Sequence, residues 1–344
     1  MQQRSLILLM SATVVMVALA VAALATGGGG AGRARADQRA LPALAARLGE
    51  VASVEVRRTG LDLTFVRHGR DWGVAQKSGY PADAGKIRRI VLALADMTLV
   101  EPKTREPSLY PRLEVEDPGA NPGTGKSTLV TVKDESGADI ARLIVGKRAY
   151  DRLGEGTDGV YVRKPGDPQS WLARGSLDFS DDTPNWLARR IVDIPDSRIA
   201  KVSLAQPDGT TLTLERSKPD AKFALDNPPK DDKYKSDTVL SEPAMALETL
   251  DLDDVRPAAK LAVPDKGVTT ASYTTFDGLT VAVKLFPHDN KNWIAFTASG
   301  SGKTADEAKK IEGRVGRWVY AIPSYKAKMM RTKLADLLEA PKGS

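Results

Sequence analysis

The feature that most constrains this chain is Ser5–Ala25, SLILLMSATVVMVALAVAALA, an unbroken run of apolar or small residues without a charge. Coiled as a helix, such a run spans about 30 Å, the thickness of a bilayer's hydrocarbon core. A cleavable signal usually carries only about 7–15 apolar residues, so the length favours a retained single-pass anchor over residues 1–26, although Ala23-Leu24-Ala25 has the small-residue form of a cleavage site. Arg4 stands before the run while Arg33, Arg35 and Arg39 follow it, so charge alone leaves the orientation open. The short leading tail points to a body outside the cytoplasm. A buried core helix is the alternative, and a fully apolar circumference at the very terminus argues against it.

Residues 27–49 then read as a flexible tether, with Gly27–Gly30 and Gly32, followed by a short helix near Leu41–Leu48 with Pro42 in its first turn. Roughly 300 residues remain, enough for two domains of ordinary size. Hydrophobic residues at 42% and charged residues at 27% give the balance of a folded body, not a disordered one. The absence of cysteine excludes disulfides, thiolate chemistry and cysteine-rich metal sites. The net charge of +6 is scattered in pairs such as Arg57-Arg58, Arg88-Arg89 and Arg189-Arg190, the pattern of a solvated surface and not of a nucleic-acid stripe.

Alternation in Val54, Val56, Leu61, Leu63 and Phe65 on either side of Arg57-Arg58-Thr59-Gly60 predicts a β-hairpin with one buried face, and a third strand from Trp72. Ile87, Ile90, Val91, Leu94 and Met97 recur at helical spacing behind Asp83, a good N-cap. Further strands are expected at Thr128–Val132, Ile140–Val145 and Val160–Val162, and a helix at Trp186–Val192.

The pattern then restarts. Leu63, Thr64 and Arg67 are matched by Leu212, Thr213 and Arg216 at one constant offset of 149, with Gly60 matched by Gly209. Trp72-Gly-Val74 is echoed by Phe223-Ala-Leu225, Tyr80-Pro-Ala-Asp83 by Tyr234-Lys-Ser-Asp237, Trp171 by Trp318 and Leu187 by Leu334. Near-constant offsets over half a chain predict two copies of one unit, over 50–196 and 197–344, with a boundary near Pro195. Pro243 would break a helix begun at Asp237, so the second copy's helix is expected from Ser241. The expected fold is α+β: two tandem units, each a mostly antiparallel sheet with a packed helix, behind one transmembrane helix.

No constellation names a reaction. Ala120-Asn-Pro-Gly-Thr-Gly125-Lys126-Ser127 has the spacing of a phosphate loop, but the following Leu129-Val-Thr-Val132 reads as a strand where such a loop needs a helix. His68 and His288 occupy non-equivalent turns and lack visible partners for a relay or a metal site. Asp178, Asp181 and Asp182, and Asp251, Asp253 and Asp254, lack the spacing and glycine of a calcium loop and read as turn and capping residues. Trp72, Trp171, Trp186, Trp293 and Trp318 read as core anchors. The assignment is therefore no catalytic, cofactor-binding or metal-binding residue, no cofactor, and no enzyme.

Trp72-Gly-Val74, Tyr80-Pro-Ala-Asp83, Leu143-Ile-Val-Gly146-Lys147 and Asp158-Gly-Val-Tyr-Val-Arg163, behind an N-terminal anchor and with a half-chain repeat, resemble a bacterial domain family of unknown function numbered four-three-four-zero. That family is often encoded beside ABC transporter components similar to the gliding-motility permease and its auxiliary protein. The resemblance implies a location in the bacterial inner membrane, a body in the periplasm, and an ABC permease with its associated subunits as partners. The resulting expectation is a non-enzymatic accessory or scaffold subunit of an ABC-type export system. The alternatives are an envelope glycan- or lipid-binding module and a carboxylate-based envelope hydrolase.

Overall fold

The computed structural model describes residues 38–119, 125–150, 152–153, 158–228, 234–236 and 238–339. The expected anchor and tether, the residues Ala120–Thr124 of the glycine-rich loop, and Asp237 lie outside the described residues. Among the described residues no helix is long and apolar enough to cross a membrane. The fold is a mixed α/β arrangement of antiparallel sheets and several helices, and it divides into two compact units.

In chain order, α1 (Pro42–Ala46) precedes the hairpin of β1 (Ser53–Arg58) and β2 (Leu61–His68), then β3 (Asp71–Val74) and the short β4 (Tyr80–Pro81). The hairpin forms as the alternation demands: Val54, Val56, Leu63 and Phe65 are buried and Val56 faces Leu63 across the ladder. Gly60 sits at the turn with φ +79°, a left-handed geometry that costs glycine little. Helix α2 (Ala84–Asp96) buries Ile87, Ile90, Val91 and Leu94, each contributing about 1.5–3 kcal/mol of apolar burial, and lies against α1. Met97, at the end of the same stripe, is buried one residue past the helix. There follow β5 (Thr98–Pro102), the single turn α3 (Tyr110–Leu113), β6 (Thr128–Lys133), β7 (Asp139–Ala149), β8 (Gly159–Arg163) and β9 (Ser170–Arg174).

The first unit comprises residues up to Gln76 and from Ala84 to Thr183. Its strands run in the order β3-β2-β1-β6-β7-β8-β9-β5, and the pairings between them are antiparallel. Tyr110, Val115 and Ile144 form a small core over one face of this sheet, with Leu129 and Tyr161 packed at its edge.

The second unit takes Lys77–Asp83 together with everything from Pro184 onward. It contains β10 (Arg190–Val192), β11 (Ile199–Ala205), β12 (Thr211–Glu215), β13 (Ala224–Leu225), β14 (Leu250–Asp251), β15 (Asp254–Pro257), β16 (Thr269–Thr275), β17 (Thr280–His288), β18 (Lys291–Ser299), α4 (Ala305–Val315), β19 (Trp318–Ile322), α5 (Ser324–Met330) and α6 (Leu334–Leu337). Its large sheet runs β13-β12-β11-β16-β17-β18-β19-β15, the same order as the first unit strand for strand. Arg67 N–H donates to Ala52 O at 2.9 Å, and Arg216 N–H to Ala200 O at 3.0 Å, at the same place in the two hairpins. Gly209, like Gly60, has positive φ, at +87°. The copies differ in the turn: Arg58 pairs directly with Leu61 around a two-residue turn, while a longer loop separates Ala205 from its partner Thr211.

Two expectations need correction. Trp186–Val192 is not a helix: Thr183–Trp186 is a 3-10 turn, and Arg190–Val192 is β10, paired with β14. Pro184 lacks a backbone donor, and the β-branched pair Ile191 and Val192 is buried against a strand that local sequence does not reveal. In the second copy the helix expected from Ser241 is a 3-10 helix, Glu242–Leu247, with Pro243 in its first turn. Buried Lys326 of α5 closes it, donating to the carbonyls of Met245 and Glu248 at 2.7 and 2.6 Å. Desolvation there lowers the Lys326 pKa from its ordinary value.

The sequence repeat ends near Pro195, whereas the compact units divide at Thr183/Pro184. The reason lies in the tail that follows β9. Leu187 bridges Ala82, Ile194 N–H donates to Leu247 O, and Leu252 N–H donates to Arg189 O, so the tail of the first copy is built into the second unit. In the second copy Tyr234 bridges Leu338, the corresponding union of the tyrosine segment with the tail.

Candidate functional site

Chemistry concentrates at the end of β8. Arg163 is 3% exposed, and each of its guanidinium nitrogens is directed at a different group. Nε donates to Val115 O at 2.8 Å and Nη1 to Asp167 O at 3.3 Å. Nη2 stands 2.7 Å from Asp117 Oδ2, an ion-pair distance, but at an angle that leaves its N–H without a hydrogen-bond acceptor. The Tyr110 ring lies 4.6 Å from the guanidinium carbon, and the Tyr110 hydroxyl donates to Pro168 O at 2.7 Å.

Local sequence explains how the groups meet. Pro107 opens a 3-10 turn and Pro111 sits in the first turn of α3, both positions where a missing N–H costs nothing. Glu114 then takes a left-handed conformation, φ +58°, which reverses the chain and lets Val115 N–H return to Tyr110 O at 3.1 Å. The reversed turn lies directly on β7. A Cβ at Gly146 would overlap Leu113 O and come within 2.8 Å of Glu114 O and of Val115 Cγ1, so only glycine admits this approach. Gly159 is similarly crowded, by Leu172 Cδ1 at 3.0 Å and Ala149 O at 3.1 Å. On the other side, Gly166 with φ +80° and an Asp167 carboxylate accepting from Gln169 N–H at 2.9 Å shape the turn after β8.

Between these turns is an open cavity of about 400 Å³, lined among others by Pro107, Tyr110, Pro111, Glu116, Asp117 and Arg163. Glu116 is 8% exposed, and its Oε2 has no hydrogen-bond partner. A second cavity of about 280 Å³ shares Arg163 and includes Arg39, Lys164, Gln169 and Trp171. A surface of prolines and one tyrosine around a few fixed polar groups suits binding of a small ligand.

The residues singled out from sequence are dispersed. His68 is exposed at the end of β2. His288 ends β17, with Nε2 3.2 Å from Arg256 Nη1 and 3.1 Å from Asp289 Oδ2. Arg256 also lies over Trp293, 4.9 Å from the ring centroid. Four of the six carboxylates are held by basic side chains. Arg148 holds Asp178 at 3.4 Å, Arg58 pairs with Asp181, Arg190 holds Asp251 at 2.6 Å, and Asp254 sits between Lys77 at 2.6 Å and Lys291 at 3.2 Å. Burial works to raise the Asp254 pKa, but the Lys77 and Val255 N–H hydrogen bonds and the nearby lysine charges outweigh it and hold the group below its ordinary value. Its neighbour Asp253 is shifted upward, chiefly by burial. Among the described residues no group of three or more His, Cys, Asp or Glu side chains is placed to hold a metal ion.

Trp171, Trp186, Trp293 and Trp318 are buried and Trp72 is half-buried. Lys126 is exposed, Gly125 O accepts from Thr59 Oγ1 at 2.8 Å, and β6 follows at once, so the loop leads into a strand. Sequence reasoning did not single out Glu116 as a site residue, and it read the Asp158–Arg163 motif as structural. The available signal was a charged residue ending an apolar strand, paired with a proline-bracketed tyrosine at Pro107–Pro111.

Fold and site together define a chain of two like-ordered antiparallel sheet units carrying a binding-type cavity on the first. The chain belongs to the family described as "Domain of unknown function (DUF4340)", whose pattern matches residues 72–270, more than half of the sequence. The match begins in β3 and ends in β16, so it covers the junction of the two copies and not either copy alone. No curated protein matches the chain.

Proposed function

We propose that this protein is a membrane-anchored periplasmic accessory or scaffold subunit of an ABC-type export system in the bacterial inner membrane, acting by contact and not by catalysis. The observation that carries the reading is the uncharged run Ser5–Ala25 ahead of a folded two-unit body. Ser11 and the alanines Ala12, Ala18, Ala20, Ala22 and Ala23 would let a neighbouring helix approach closely within lipid. The individually paired carboxylates favour structural roles over acid–base chemistry, since paired acid and base groups would have to share one cleft. The two sheets of identical strand order favour duplication of one ancestral unit, which gives a scaffold two related surfaces.

The test is affinity purification from gently solubilised membranes. An ABC permease and its ATPase should be recovered, and less of both when Ser5–Ala25 is replaced by an unrelated anchor. A protein that purifies alone, and that complements a deletion as a soluble fragment, would defeat the reading. A second reading, an envelope ligand-binding module, is favoured by the cavity beside Arg163 and its buried, unpartnered Glu116 Oε2.

A further inference from the structure

We infer that the exposed side of α4 and its flanking turns docks on anionic lipid headgroups, so that the anchored body rests a charged surface on the bilayer. Lys303, Lys309, Lys310, Arg314 and Arg317 are exposed, and among the described residues none of the five is paired with a carboxylate. Other basic side chains of the second unit are taken up: Arg190 by Asp251, Arg198 by Glu307 and Asp277, and Lys333 by Asp208.

Helical spacing explains the grouping. Ala308, Ile311 and Val315 recur at three and four residues and are buried, with α4 packed against β18. Lys310 and Arg314, one turn apart, stand together off that face, with Lys309 beside them and Arg317 just past the helix end. Like charges at this spacing repel and weaken a helix. Residues 302–317 carry five basic side chains against three acidic ones, and the acids are engaged elsewhere. Glu307 is held by Arg198 Nη1 at 2.9 Å, and Glu312 Oε2 accepts from Ala298 N–H at 2.8 Å. Asp306 stands in the first turn, where the helix dipole favours a negative charge. An anionic surface outside the protein supplies the countercharge.

The chemistry of the patch selects lipid over a protein. Specific protein interfaces are built around aromatic or other apolar anchors. α4 offers none: among the described residues the large exposed apolar side chains lie elsewhere, at positions such as Phe276, Tyr325 and Leu334. The apolar face of α4 is already used by the protein core, so it does not insert into the bilayer. What remains is an electrostatic contact with headgroups, to which each lysine or arginine near an anionic leaflet adds. The inference rests on the reading of Ser5–Ala25 as an anchor, from which residues 27–37 can hold the body no further than about 40 Å.

The test reconstitutes the full chain in nanodiscs of neutral phosphatidylcholine, and in discs of phosphatidylcholine mixed with phosphatidylglycerol. Lysines are acetylated with an uncharged reagent and the rates read by peptide mass spectrometry. Lys309 and Lys310 should react at least about threefold more slowly in the anionic discs. The protection should vanish at about 1 M salt, where the Debye length is about 3 Å. Exposed Lys218, which follows β12, four strands from β18 in the same sheet, should react alike in both discs. The exposed double substitution Arg314→Glu with Arg317→Glu should remove most of the protection. Equal rates in the two discs, protection that survives high salt or the double substitution, or equal protection of Lys218 would each overturn the inference. Protection seen in native membrane vesicles but not in anionic discs would overturn it in favour of an acidic protein. A chain that stays out of the discs defeats the anchor reading and this inference with it, whereas one that enters them and reacts equally defeats this inference alone.

Discussion

Gly146→Ala should destabilise the first unit, against the usual sign of such a change. Gly146 lies within β7 without a positive φ, a setting in which alanine normally gains about 0.5–1 kcal/mol over glycine. Here the added methyl would overlap Leu113 O and stand 2.8 Å from Glu114 O and Val115 Cγ1. Relief requires the turn at Leu113–Val115 to lift by an amount on the order of 1 Å, at about 1–3 kcal/mol for overpacking. Val115 O is the acceptor for Arg163 Nε at 2.8 Å, so the same movement breaks a charge-assisted hydrogen bond worth about 1.5–3 kcal/mol. Part of each cost is relieved by the other, leaving a net loss of about 3 kcal/mol. At about 2–4 °C per kcal/mol the unit's melting midpoint should fall by about 6–12 °C. Calorimetry on the full chain measures the midpoint. Hydrogen exchange of the peptide covering 107–117 should rise selectively. A midpoint within about 2 °C of the parent with unchanged exchange would show that the turn does not rest on β7 as described.

Two further outcomes concern the second unit. Tyr273 is fully buried and its hydroxyl has no hydrogen-bond partner, so Tyr273→Phe should raise stability by about 1 kcal/mol in denaturant titration, and a loss of similar size would mean that the hydroxyl is satisfied. Burial pushes the Tyr80 phenol up to about 12, and raises Tyr273 and Tyr320 as well. Because these folded-state values lie above the ordinary value near 10, their stabilising contribution is complete below about pH 10 and is lost as pH rises from there toward 12. For Tyr80 alone that is about 2 kcal/mol by pH 12. Absorbance at alkaline pH should therefore show these three of the eight tyrosines ionising only with cooperative unfolding, and smooth ionisation of all eight without unfolding would refute it.

How much of this could be read beforehand depended on the range of the interaction. The β1–β2 hairpin, β3, α2 and the strands β6 to β8 are encoded by period-two or helical spacing within one segment, and each was legible. The repeated pattern was legible because Leu63 and Leu212 lie in the second strand of each hairpin and the backbone N–H groups of Arg67 and Arg216 donate back to the segment ahead of the first. The element at Arg190–Val192 was misread because its strand character comes from pairing with Leu250–Asp251, far away in sequence. The site suffered similarly. Tyr110, Glu116 and Arg163 come from separate segments, and nothing local says that a turn after α3 will settle on Gly146.

The exchange of the first copy's tail has a consequence for how the chain is made. Lys77–Asp83 leaves the ribosome early, yet the second unit to which it belongs is complete only after β19 and its following helices emerge. Tyr80 finds its ring neighbours Trp318 and Tyr320 only then, at centroid distances of 5.0 and 6.1 Å. Maturation of that segment therefore waits on residues about 240 positions further along the chain. No single cut of the backbone yields two independent halves: severed between Thr183 and Pro184, the second half still lacks a piece that lies before α2.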